Sequence, residues 1–312
     1  MIEVRQLTKR YGPHTVVNDL SFCVKPGRVT GFLGPNGSGK TTTARMILGL
    51  TEPDAGIATI NGRTYRQLRR PLCEIGALIN AGAVIPGKTA IDHLRWLAAA
   101  NGIKRQRADE VLGMVGLEAA AGRKIGGFSL GMKQRLGIAA ALIGDPPALI
   151  FDEPINGLDP EGIRWIRTFM QDLAAQGRTV LVSSHLMSEM ALTAADLVVI
   201  GQGRLIAAES VEAFTARADS SVRLRSPQLE EIAVALAVEG ASLWRNGDAL
   251  EIVGFSIEQI GALCARVNAI VYELSPQRAS LEEAFMQLTA KVCEYVPTQP
   301  NSRLPTQREA AA

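Results

Sequence analysis

Cysteine is scarce and scattered in this chain. Its four cysteines, Cys23, Cys73, Cys264 and Cys293, include no C-x-x-C pair. That excludes a disulfide framework or a zinc site and reads as reduced thiols in a cytosolic protein. Long apolar runs are missing too. None approaches the ~18 residues that would span a bilayer, and the start, MIEVRQL, lacks the basic-then-apolar pattern of a signal peptide. Nor is one sign of charge in excess: 33 basic and 31 acidic residues are interspersed for a formal net charge of +2. No basic stripe calls for nucleic acid, and no aromatic–basic interleaving calls for RNA. What is present, 47% hydrophobic and 21% charged residues over 312 positions, is the composition of a folded protein of about two domains.

From Ile2 to about Glu209, strand-like and helix-like segments alternate, which predicts a largely parallel α/β core. Val29 to Leu33, Ala148 to Phe151 and Thr179 to Val182 are short apolar runs, as expected of strands covered on both faces. Between Ala90 and Gly144 the strand signal vanishes. Leu94, Leu97 and Ala98, then Met132, Leu136, Ala139, Ala140 and Ile143, recur at helical spacing and predict an inserted helical subdomain.

After Glu209 the order becomes β-α-β-β-α-β plus a final helix, the pattern of a small ferredoxin-like unit. Its expected parts are Val222 and Leu224 in a strand, a helix from about Pro227 capped by Ser226, and strands Ser242 to Trp244 and Ala249 to Val253 meeting at Asn246-Gly247. A helix from Ser256 with Gln259 closing its capping box, a strand around Ile270 to Tyr272 and a helix from Ser280 complete it. The Leu281, Ala284, Phe285 and Leu288 stripe of that last helix offers either a partner-binding surface or packing on its own small sheet, and the second is expected. The expected division is 1–214, 215–292 and a disordered tail, 293–312, rich in Pro, Gln and Ser.

Gly34-Pro35-Asn36-Gly37-Ser38-Gly39-Lys40-Thr41 satisfies G-x-x-x-x-G-K-[ST] between an apolar strand and a helix pattern. The glycines let backbone N–H groups wrap phosphates without Cβ clashes. Lys40 would meet the β- and γ-phosphates, and the Thr41 hydroxyl would hold Mg²⁺. Ala148 to Phe151 ends in Asp152 and Glu153, at the strand end where open α/β sheets bind ligands. Asp152 would hold the Mg²⁺ shell and Glu153 would polarise the attacking water. About ninety residues after the phosphate loop, FSLGMKQR places Ser129 and Gly131 at a second anion-ready helix start.

These residues resemble the ATP-binding cassette family, in particular the ATPase subunits of bacterial drug and antibiotic exporters. The likeness covers roughly Ile2 to Gln202, with the motifs in family order. Tyr11 matches the aromatic that stacks on adenine, GPNGSGKTT (through Thr42) the phosphate loop, and FSLGM the signature usually written L-S-G-G-Q. LIFDEP matches the Mg²⁺ and base strand, NGLD with Asp159 the loop after it, and SSH the switch histidine, His185. The resemblance implies a P-loop ATPase fold: a mostly parallel core, an antiparallel N-terminal β part and the helical insertion, followed by a small α+β unit. It also implies two cassettes packed head to tail around two ATP molecules. Ser129 and the N–H of Gly131 would then serve a nucleotide held by another polypeptide. The implied partners are a second copy of the chain and a separate membrane permease, reached from the cytoplasmic face, with no nucleic acid.

Three positions depart from the family pattern. Leu130 stands at the signature's first glycine and Met132 at its glutamine, while Asn80 takes the place of a longer glutamine that touches Mg²⁺ and the permease. The alternative is a soluble cassette ATPase acting on nucleic acid or ribosomes. Such proteins usually carry two cassettes in one chain or long coiled coils, and neither pattern appears here.

Overall fold

The computed structural model describes residues 1–218, 221–277 and 279–290. The tail expected over 293–312, with Cys293, lies outside them. The chain opens as a hairpin of β1 (Ile2–Tyr11) and β2 (His14–Val24), runs through β3 (Arg28–Leu33) into the phosphate loop and α1 (Lys40–Ile47), and returns as β4 (Ala55–Ile60). β4 pairs with the free edge of β1, so the N-terminal sheet is antiparallel, in the order β2-β1-β4. A short α2 (Pro71–Glu74) leads to β5 (Ile75–Leu78). Three helices follow, as the helical spacing predicts: α3 (Ala90–Ala100), α4 (Arg107–Met114) and α5 (Leu130–Ala141). Alternation then resumes with β6 (Ala148–Asp152), α6 (Pro160–Ala175), β7 (Thr179–Ser183), α7 (Met187–Thr193), β8 (Asp196–Gly201), β9 (Arg204–Ser210) and α8 (Val211–Thr215).

The central sheet has the order β5-β6-β7-β3-β8-β9, parallel throughout except for the last pair. The apolar runs of β6 and β7 are buried along their length because both faces are covered. On one face Phe32, Ile47, Ile150 and Leu181 pack against Ile2, Leu20 and Val24 of the antiparallel sheet. On the other, Leu33, Phe151 and Val182 share a core with Leu136 and Ile138 of α5 and Ile166 of α6. This strand order brings the carboxyl ends of β3, β7 and β6 side by side, which positions the site.

Beyond α8 lie β10 (Ser221–Arg225), α9 (Leu229–Val238), β11 (Ser242–Asn246), β12 (Ala249–Val253), α10 (Ile257–Arg266), β13 (Glu273–Gln277) and α11 (Leu281–Ala290). The four strands form an antiparallel sheet in the order β11-β12-β10-β13. Ser256 and Gln259 close the capping box of α10 in both directions. Three local expectations shift. The α9 helix starts at Leu229, because the Ser226 hydroxyl accepts from the N–H of Gln228 and turns the chain first. Asn246 pairs with Ala249, so the hairpin turn is Gly247-Asp248, with Gly247 at φ 63°. The strand expected over Ile270 to Tyr272 is not formed there. Those three side chains are exposed, and pairing begins at Glu273. β13 is an edge strand, which tolerates the missing N–H of Pro276.

The last helix overturns a larger expectation. Ser280 and Glu283 cap it reciprocally. Its Leu281, Ala284 and Phe285 are buried in the cassette core with Met190 and Phe214, whereas the small unit's core is a separate cluster around Leu224, Ile232, Ile252 and Leu263. α11 therefore packs on α7 and α8 rather than on its own sheet. Phe285→Ala should cost about 3 kcal/mol, as core Phe truncations do. It should speed amide hydrogen exchange in α7 and α8 while leaving α9 and α10 protected, as hydrogen-exchange mass spectrometry would show. The reverse pattern would return the stripe to the small sheet.

Candidate active site

The phosphate loop follows β3 and opens α1. Gly39, at φ 103°, precedes the first helical residue, and a Cβ there would lie 2.8 Å from the Val16 carbonyl oxygen. Only glycine lets the loop close against β2 in that conformation. Ser38 Oγ is buried and has no partner within the described residues, and Lys40, 8% exposed, folds back to donate to the carbonyls of Gly34 (2.6 Å) and Pro35 (3.2 Å). A buried hydroxyl without a partner and a cation whose acceptors are two backbone carbonyls suit the oxygens of a phosphate.

The acids arrive from β6. Thr41 Oγ1 donates to Asp152 Oδ2 at 2.7 Å, and the Ser183 hydroxyl at the end of β7 donates to Asp152 Oδ1. Glu153 leaves the strand in the left-handed region, φ 51°. Its N–H is held by the carbonyl (3.2 Å) and hydroxyl (3.0 Å) of Ser183. Its Oε2 lies 2.8 Å from His185 Nδ1. A carboxylate oxygen only accepts, so Nδ1 is the donor of that bond. Val16, Asn36, Gly37, Gly39, Lys40, Thr41, Thr42, Asp152 and Glu153 line one open cleft of about 580 Å³.

The structure does not gather every expected residue there. Tyr11 ends β1, 49% exposed, with the Lys9 ammonium 5.5 Å from its ring, and it is not part of the cleft lining. Asn80 accepts from the N–H of Gly82 at 2.7 Å and faces a second groove, between the sheet and the helical block. Ser129 caps α5 by accepting from Met132 N–H, and is exposed. Asp159 caps α6 by accepting from Gly162 N–H at 2.8 Å, ahead of Pro160. None of Ser129, Gly131 and Asp159 is part of the lining of their own chain's cleft. Leu130, 54% exposed, lies over Gly157 of the NGLD loop. Gly157, at φ 76°, leaves the room that a side chain would take from it.

Sequence reasoning passed over two residues. Ser183 joins Asp152 to Glu153, and Gln134 of α5 donates to the carbonyls of Glu153 (3.3 Å) and Asn156 (3.2 Å). The available signal was position: Gln134 is a polar residue on the core-facing stripe with Ile138 and Ala141.

Comparison with known proteins agrees with this geometry. The ABC transporter family model matches residues 17–156. The ABC transporter ATP-binding protein YhcH of Bacillus subtilis, itself uncharacterized, is 34% identical over 299 residues, 95% of this chain and 98% of its own length. This chain is a member of the ABC transporter ATP-binding proteins. The bacitracin transport ATP-binding protein BcrA of Bacillus licheniformis is 42% identical over 209 residues, 66% of this chain and 68% of that one. A dimeric ATP-binding cassette in a post-hydrolysis state, bound to ADP and Pi, superposes with a TM-score of 0.61 at 25% identity, covering 67% of this chain and 98% of its own. The α/β cassette fold and the ATPase assignment stand on these relatives, and they favour a transport ATPase over one acting on ribosomes or nucleic acid. Residues 220–282 match a family described only as a domain of unknown function.

Burial pushes the pKa of Lys40 below its usual 10.5, while Glu153 and Asp152 push it back up. A lysine so shifted loses its proton at a lower pH than a free one. ATP affinity should therefore fall on the alkaline side, beginning below pH 10.5. Glu153→Gln removes one of the raising charges and should move that fall to lower pH. Titrating a fluorescent ATP analogue against both proteins across the alkaline range checks this, and coincident curves would separate Glu153 from Lys40.

Proposed function

We propose that this ATPase drives export, of the antibiotic-efflux type, through a separate membrane permease. It works as a head-to-tail pair of identical cassettes on the cytoplasmic face of the membrane. The observation that carries the reading is the split between two sets of groups. Lys40, Thr41, Asp152, Glu153 and His185 converge at neighbouring strand ends. Ser129 stands exposed on a different helix start, with its hydroxyl turned to its own backbone. One chain then carries one half of each of two sites, and a C₂ dimer completes both. An antibiotic cargo is supported by relatives named for bacitracin transport and lantibiotic transport, and the export direction by a relative named for Nod factor export.

In this reading the N–H groups of Gly34 to Thr42 and the Lys40 ammonium hold the β- and γ-phosphates, and Tyr11 stacks on adenine. Among the described residues no three His, Cys, Asp or Glu side chains form a metal cluster. The oxygen pair of Thr41 and Asp152, 2.7 Å apart, suits a hard cation that takes its remaining ligands from phosphate and water. Mg²⁺ held there supplies charge neutralisation on the phosphates. Glu153 draws the proton of the attacking water, and His185 steadies its carboxylate and senses the γ-phosphate. Ser129 and the Gly131 N–H meet the γ-phosphate held by the second cassette, and Asp159 faces it across the interface.

The permease is assigned to the groove of about 1270 Å³ beside Asn80, walled by Leu50, Ala83, Trp96 and Leu97. Trp96 is half-exposed there. No helix among the described residues is long and apolar enough to cross a membrane, which fits a subunit that reaches the bilayer through a partner. Residues 215–292 act as an accessory unit held to the cassette through α11.

Two experiments test the reading. Lys40→Ala and Ser129→Arg should each abolish ATPase activity as homodimers. Mixed together, they form dimers in which one site is doubly broken and the other is whole, so part of the activity should return. No recovery, with subunit exchange confirmed, would place Ser129 outside the shared site. Separately, Trp96→Glu should leave the ATPase rate of the isolated subunit unchanged and reduce its stimulation by the permease in reconstituted vesicles. Full stimulation would move the docking surface elsewhere.

A further inference from the structure

Gln134 makes an unusual set of contacts for a residue only 6% exposed. Both of its amide N–H bonds go to one turn of chain: Nε2 lies 3.3 Å from the carbonyl of Glu153 and 3.2 Å from that of Asn156. Its own carbonyl oxygen is buried with no partner within the described residues. A glutamine that merely satisfied its surroundings would have both ends paired. Here the acceptor end bears a desolvation cost while both donors are committed to the segment leaving β6. That segment belongs to no strand or helix, and besides Gln134 the Glu153 carbonyl has only a long turn bond, 3.3 Å, from the N–H of Asn156. With Gln134 counted, Glu153 is held at three points: its N–H by Ser183, its Oε2 by His185, and its carbonyl by Gln134 of α5 together with the turn N–H of Asn156.

The same helix begins at Ser129, five residues and about 7.5 Å away along the axis. We propose that Gln134 is a positioning residue. It fixes the backbone of Glu153 in its left-handed turn, and through α5 it ties the aim of that carboxylate to whatever engages Ser129. The occupant of the second cassette's site thereby sets the base of this one. The proposal rests on the dimer reading above and on Glu153 as the group that polarises water.

Gln134→Met keeps length and shape and removes both donors. It should lower kcat about tenfold or more, as small displacements of a reacting group do. KM for ATP should stay within about twofold. Gln134→His, with one N–H at similar reach, should recover part of kcat. In a Glu153→Gln background, Gln134→Met should still form the ATP-bound dimer by gel filtration, because the phosphate loop and Ser129 are untouched. A kcat within about twofold of the parent, or a KM that rises in step with the loss, would overturn the proposal. If Gln134→Met does not fold, Gln134→His decides by the same split: kcat lowered with KM unchanged supports the role, and an unchanged kcat overturns it. Failure of Glu153→Gln alone to dimerise on ATP would instead overturn the dimer reading, so the two failures are distinguishable.

Discussion

One carboxylate holds the site together. Asp152 Oδ2 accepts from Thr41 and Oδ1 from Ser183, so a single side chain joins the start of α1, the end of β6 and the end of β7. Bonds to an ionised acceptor are the strong ones, about 1.5–3 kcal/mol each. They close here because β7 lies between β6 and β3 in the sheet. The Ser183 hydroxyl that donates to Asp152 also receives the N–H of Glu153. The placement of the second acid is thus a by-product of the first. Lys40, buried in the same cleft, recovers from both negative charges only part of what it loses by leaving water, so its pKa stays below the usual lysine value.

Much of this was legible in the residues themselves. A phosphate loop must be glycine-rich at fixed positions and must follow a strand, and a strand buried on both faces must be apolar to its last residue. Gly34 to Thr41 and Ala148 to Glu153 satisfy both demands locally, without knowledge of the rest of the chain. The helical block from Ala90 and the capping box at Ser256 were readable for the same reason. What escaped reading depends on distant partners. Leu281, Ala284 and Phe285 declare an apolar face but not what covers it, and the covering turned out to be Met190 and Phe214. Ile270 to Tyr272 look like a strand by composition, yet the pairing register with β10 starts only at Glu273, beyond all three. Gln134 is invisible as a functional residue until its two carbonyl partners are seen.

The departures from the family signature also make sense only in three dimensions. Leu130 in place of a glycine would be a liability at an anion-binding helix start if its side chain covered the N–H groups there. Instead it lies over Gly157. The Ser129 hydroxyl and the Gly131 backbone keep their positions at the first turn of α5. The leucine fastens the helix start to the loop that leads to Asp159, an apolar counterpart to the polar hold of Gln134 one turn further along.

The final helix changes how the appended unit must move. The chain leaves the cassette at the end of α8 and, after the four-stranded sheet, comes back to lie on α7 and α8. A body hung from one strand swings freely and pulls on nothing, whereas one fastened at two neighbouring points can only rock about the line between them. Any push on the outer sheet is therefore delivered as leverage on α7, whose first residue is two positions from His185.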